Sequence, residues 1–108
     1  MKVIIKNVNE NPIITEIENT LEDLQKVVGG YIEIVPTGLY SEGIVAICNE
    51  EGKFMGLKPN MKIGYDIICG NILFVGTKGE DFTDLTDEQI MLILDGFFKE
   101  WNNYVLWN

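Results

Sequence analysis

This chain carries nucleophiles and acids without the group that usually activates them. Cys48, Cys69, Thr37, Ser41 and Thr77 are candidate nucleophiles, and 17 Asp plus Glu residues supply acid–base groups. The sequence holds no histidine and no arginine. Ser-His-Asp and Cys-His catalysis are therefore excluded, and so is an imidazole metal ligand. The bidentate fork that recognises phosphate or carboxylate is missing as well. A lysine is the remaining base, and no spacing singles one out beside a nucleophile. Nor does any spacing single out a carboxylate pair for glycosidase-like work. The chain reads as a non-enzyme.

The densest polar run is 79–88, where Glu80, Asp81, Asp84, Asp87 and Glu88 crowd together. It lacks the Asp-x-Asp-x-Asp-Gly pattern and the twelfth-position Glu of an EF-hand loop. Two uses remain for it: carboxylates that complement a helix N-terminus, or a surface for a basic partner. Gly70-Asn71 and Gly76-Thr77-Lys78-Gly79 have too few glycines for a phosphate loop or a dinucleotide fingerprint. Neither a metal nor a cofactor is predicted.

Aromatic residues point instead to contact chemistry. Tyr31, Tyr40, Tyr65, Phe54, Trp101, Tyr104 and Trp107 suit protein or planar-ligand surfaces. Tyr40 stands in the loop Gly38-Leu39-Tyr40-Ser41-Glu42, where nothing else demands an aromatic. Asn60 offers donors and acceptors to a buried backbone or to a ligand, and Lys62 follows closely. The candidate ligand- or partner-binding set is Tyr31, Tyr40, Asn60, Lys62, Glu80, Asp81 and Asp84.

These residues need elements to position them. Val3 to Lys6 and Ile13 to Ile17 read as strands of a hairpin, joined by the turn-forming Asn7 to Pro12. Asn19 or Thr20 caps a helix whose Leu21, Leu24, Val27 and Val28 share a face, and Gly29-Gly30 ends it. Tyr31 to Val35 is a strand stopped by Pro36, and Gly43 to Cys48 is the next. Asn49-Glu50-Glu51-Gly52 turns the chain into a short returning strand at Lys53 to Met55. Leu57 to Ile63 reads as a loop. Asp66 to Val75 is the most apolar segment, and Gly70-Asn71 breaks it into a bent strand or two strands. Thr86-Asp87-Glu88-Gln89 is a capping box, with Leu85 and Ile90 as its hydrophobic staple. Ile90, Ile93, Leu94, Phe97, Phe98 and Trp101 then form one apolar helix stripe. The tail from Asn102 to Asn108 keeps Tyr104, Val105, Leu106 and Trp107 for the core or for a partner. The order β-β-α-β-β-β-β-α predicts an α+β fold, a mostly antiparallel sheet with two helices packed on it as a single layer.

Composition sets the surroundings. The 108 residues, 46% of them hydrophobic and 23% charged, suit a single domain spanning 1–108 with its own core. A net charge of −9 repels DNA and anionic membranes, and the eight lysines are scattered. No direct nucleic-acid or membrane contact is expected. Cys48 and Cys69 lie in apolar stretches and read as small core hydrophobes. The opening Met1 to Lys6 is too short and charged for a signal peptide, and no apolar run approaches the ~20 residues of a membrane span. A cytoplasmic setting with free thiols is expected.

Several segments together resemble a known family. They are Val27-Val28-Gly29-Gly30-Tyr31-Ile32-Glu33, then Asn49-Glu50-Glu51-Gly52 with Gly56-Leu57-Lys58-Pro59-Asn60, then Asp66-Ile67-Ile68-Cys69-Gly70 and Phe74-Val75-Gly76. The chain resembles, over about 1–95, the domain-of-unknown-function family numbered 3846. Members often have a basic residue just after the Asn. Here Met61 stands there, with Lys62 next. The resemblance implies a phage or mobile-element setting and no particular activity. With it, the expected function is a non-enzymatic acidic interaction protein that binds and antagonises a host defence or regulatory protein. One alternative is a protein that sequesters a small ligand or nucleotide signal between protomers of a homo-oligomer. That reading would use Tyr31, Tyr40, Asn60 and nearby lysines. A second alternative is an acidic DNA mimic.

Overall fold

The computed structural model describes residues 1–99. The expectations for Trp101 and the tail 102–108 lie outside the described residues. Local signals set most elements where they were read. β1 (Lys2–Lys6) and β2 (Ile13–Glu16) form the expected antiparallel hairpin. Thr20 caps α1 (Leu21–Val28), its hydroxyl accepting from Asp23 N at 3.2 Å. Gly29 ends that helix in the left-handed region, at φ 80°, where a Cβ would be strained. β3 (Ile32–Val35) and β4 (Ile44–Asn49) follow, joined by a loop with a short 3₁₀ turn at Tyr40–Glu42. Then come β5 (Pro59–Ile63), β6 (Asp66–Cys69), β7 (Ile72–Lys78) and β8 (Asp81–Thr83). α2 (Asp87–Ile93) starts on the expected capping box and runs into a π-helical turn at Leu94–Phe98.

Three local readings are corrected. Lys53 to Met55 joins no strand among the described residues and is part of a run of turns over 51–56. The supposed loop before Ile63 is strand β5, paired with β6. Pro-Asn reads locally as a turn, but Pro59 opens the strand, where its missing N–H is tolerated. Met61 and Ile63 then alternate into the core. The acidic run 79–88 contains a short strand, β8, paired with β7.

The main sheet is antiparallel, in the order β2-β1-β7-β4-β3, with β8 also paired to β7. β5 and β6 make a separate two-stranded hairpin. The α+β architecture, its antiparallel sheet and its two helices are as expected. The helices do not share one layer. Along β4 and β7 successive side chains enter opposite cores. Val45, Ile47, Leu73 and Val75 pack with Leu24 and Val28 of α1. Ile44, Ala46, Ile72 and Phe74 pack with Met61, Ile63 and Ile68 of the hairpin and with Ile90, Ile93 and Phe98 of the α2 region. Phe98 meets Phe74 edge to face, with ring centroids 5.8 Å apart. The physical reason is that β4 is apolar at every position from Ile44 to Cys48, and β7 from Ile72 to Val75, rather than at alternate ones, so both faces must be covered. No described helix is long and apolar enough to cross a membrane.

A polar clamp fixes the hairpin to the sheet. Asn60 is buried, and its Nδ2 donates to Lys6 O at 2.7 Å and to Gly70 O at 2.8 Å. Its Oδ1 accepts from Lys6 Nζ at 3.1 Å, and that ammonium also donates to Asn7 O at 2.8 Å. Lys6 is only 1% exposed, and burial lowers its pKa against a smaller opposing effect of Glu10. Asn60→Ala removes three hydrogen bonds at once and strands buried polar groups. Urea unfolding is expected to show a loss of about 3 kcal/mol. A change below about 1 kcal/mol would show that the clamp contributes little.

Candidate functional site

A concavity lies where the β3–β4 edge meets the turn 51–56 and strand β6. Its geometry begins with strand alternation. Ile32 points to the α1 face, so Glu33 points to the opposite one, directly across the ladder from Cys48. Cys48 Sγ donates to Glu33 Oε2 at 3.9 Å. Asn49 then starts the turn: its Oδ1 accepts from Glu51 N at 2.8 Å. Met55 N donates to Glu51 O at 2.8 Å and Leu57 N to Gly52 O at 2.9 Å, which closes the loop on itself. Gly52 must be glycine there, because a Cβ would stand 2.5 Å from Cys69 O. The close approach of turn and hairpin brings Lys53 into an ion pair with Asp66.

The resulting cleft has a volume of about 370 Å³. Glu33, Glu50, Glu51 and Asp66 line it, against Lys53 alone on the cationic side. Two exposed apolar side chains stand at its rim, Phe54 at 90% and Ile67 at 53% exposure. Exposed apolar side chains ringed by like charge suit a ligand of opposite charge with an apolar anchor. Burial first, then the carboxylates of Glu33 and Asp66, push the Cys48 thiol up to about 11 from 9.0. The thiol stays protonated at neutral pH and is no nucleophile. Cys48 and Cys69 both line the cleft and neither is in a disulfide. Among the described residues no three His, Cys, Asp or Glu side chains are placed to hold a metal.

The sequence-predicted set does not converge. Tyr31 is exposed just ahead of β3, and its carbonyl accepts from Glu50 N at 2.8 Å, beside the cleft. Tyr40 is exposed in the 3₁₀ turn after the far end of β3. Asn60 is buried in the clamp, its amide committed to protein atoms. Lys62 is exposed and pairs across the hairpin with Ile67. Glu80 and Asp81 line a second, open trough together with Leu21, Leu24, Ile32 and Phe82. Asp84 Oδ1 accepts from Lys2 N at 2.7 Å and ties the chain to β1. Missed by the sequence reading were Glu33, Asp66, Ile67 and the exposure of Phe54. The one local signal was Phe54 itself, an aromatic between Gly52 and Gly56 in a segment with no partner strand.

The fold and its cleft define a small acidic α+β protein built around a two-faced antiparallel sheet. By its sequence the chain belongs to the DUF3846 family, a domain of unknown function, whose match covers residues 1–98. No curated protein and no solved structure matches it.

The raised thiol gives a direct test of the cleft's electrostatics. At pH 8 the native protein should alkylate at Cys48 roughly a hundredfold more slowly than the urea-unfolded chain, from thiolate content alone. The rate should climb as pH rises toward 11. Glu33→Gln removes a negative neighbour, lowers the thiol pKa and speeds the reaction. Timed iodoacetamide labelling read by peptide mass spectrometry checks this, and equal native and unfolded rates would contradict it.

Proposed function

We propose that this chain is a non-enzymatic interaction protein that binds a partner protein through the acidic cleft. The observation that carries this reading is the pairing of exposed Phe54 and Ile67 with a rim of four carboxylates and one lysine already paired to Asp66. Phe54 is exposed and belongs to neither hydrophobic core cluster of the described residues. Exposed aromatics of this kind are the usual anchors of protein contacts. The net charge of −9 disfavours nucleic acid and favours a basic partner surface. The mobile-element setting implied by the family resemblance makes a host defence or regulatory protein the proposed partner, met in the cytoplasm and antagonised by the binding.

A pull-down from host lysate with tagged wild-type protein and with Phe54→Ala tests the reading at two salt concentrations. The wild type should retain one protein stoichiometrically at low salt and lose most of it at high salt. Phe54→Ala should weaken retention by about thirtyfold, the effect of losing one interface anchor. Equal retention by the variant would overturn the cleft as the binding surface. No retained protein, with a small molecule released on denaturing the purified chain, would replace this reading with ligand sequestration.

A further inference from the structure

β3 ends the main sheet, and among the described strands it pairs only with β4. The parity of the ladder identifies which of its backbone groups face outward. Tyr31 O accepts from Glu50 N at 2.8 Å, in the same register that sets Ile32 opposite Asn49 and Glu33 opposite Cys48. Bonded and non-bonded residue pairs alternate along an antiparallel ladder. Glu33 and Val35 therefore bond to β4, while Ile32 and Ile34 turn N–H and C=O away from it. The other side of β4 agrees. Thr77 N donates to Gly43 O at 2.8 Å, so Val45 and Ile47 bond to β7 and leave Ala46 and Cys48 for β3. Pro36 stands at the next outward position and has no N–H. The edge thus offers a short, bounded template of two residues.

Side chains on the two faces of this edge differ in chemistry. Ile32 packs against the α1 core, and Ile34 lies on the same face at 53% exposure. Glu33 lies on the other face, within the cleft that also holds Asp66, Glu50 and Glu51. We propose that the partner segment is an extended strand that adds to the outer edge of β3, with an apolar–basic–apolar alternation. This rests on the cleft being the binding surface and names what it binds. The two apolar side chains lie beside Ile32 and Ile34, and the basic one lies beside Glu33 in the cleft. A second copy of the chain is a poor occupant. It would set Glu33 near its own counterpart and join two surfaces of net charge −9.

Two capped heptapeptides centred on Val-Lys-Val or Val-Glu-Val serve as probes in an NMR titration of the 15N-labelled protein. The lysine peptide should shift the Ile32 and Ile34 amides, slow their hydrogen exchange and bind roughly tenfold tighter than the glutamate peptide. Glu33→Lys should reverse that order. Ile34→Pro removes an outward N–H and no bond to β4, and it should abolish binding while circular dichroism stays native. Equal binding of the two peptides, an unchanged order in Glu33→Lys, or shifts that bypass Ile32 and Ile34 would overturn strand addition. The lysate experiment separates the two readings. Partner retention by Ile34→Pro with loss in Phe54→Ala overturns strand addition and leaves the cleft standing, whereas loss in neither overturns the cleft itself.

Discussion

The central strands of this sheet have no face for water. All six residues of β4 are buried, and so is β7 from Ile72 to Gly76. Each face then needs its own cover, and the chain supplies two unlike ones. The eight residues of α1 cover one face. The β5–β6 hairpin together with α2 covers the other. The lengths do not match. A helix of that size runs about 12 Å, whereas β7 extends about 23 Å. β3 is an edge of the sheet, and of its four residues only Ile32 and Val35 pack against the two cores. Ile34 remains half exposed on one side, and Glu33 borders an open cleft on the other. The candidate site is thus a consequence of how the core is closed.

Asparagines hold these covers in place. Asn49 Nδ2 donates to Val28 O at 3.2 Å and Asn71 Nδ2 to Val27 O at 3.3 Å, so the last residue of β4 and the residue before β7 satisfy carbonyls at the end of α1. Asn71 Oδ1 also accepts from Val8 N at 3.0 Å. Asn60 does the equivalent work on the opposite face, between β1, β5 and the chain before β7. Asn49 belongs to both the core and the cleft, since its Oδ1 opens the turn that carries Phe54. A change in how α1 is seated would therefore reach the cleft through one side chain.

An edge strand with open backbone groups is a hazard for a free protein. This chain limits the hazard with Pro36 at one end of β3 and a carboxylate at its middle, Glu33. In the proposed complex the same two devices would select the partner: the proline would bound its length and the carboxylate would set its charge. Protection against self-pairing and the proposed selection of a basic strand would share one electrostatic cause, because a carboxylate repels its copy and attracts a cation.

Elements whose signals lie within a few residues were legible in the sequence. Thr20 and Gly29 bound α1, Thr86 and Gln89 start α2, and the unbroken apolar runs mark β4 and β7. The caps of both helices close over three or four residues and an apolar run is visible without its partner strand, so neighbours in sequence suffice to read them. β5 was not legible. Pro59-Asn60 reads as a turn until Asn60 meets Lys6, 54 positions away. Lys6 looks like an ordinary strand-end charge until that same contact buries it. The expected single layer of helices failed for a related reason: alternation names two faces but not which element covers each. The candidate site shows the same division. Tyr31, Tyr40, Lys62 and Glu80 could be picked by type, yet they lie apart. The cleft joins Glu33, the turn bearing Phe54, and Asp66, which are distant along the chain. Only the pairing of β3 with β4 and the packing of the hairpin beside them bring those carboxylates together, because side-chain proximity is set by the ladder and the core and not by spacing.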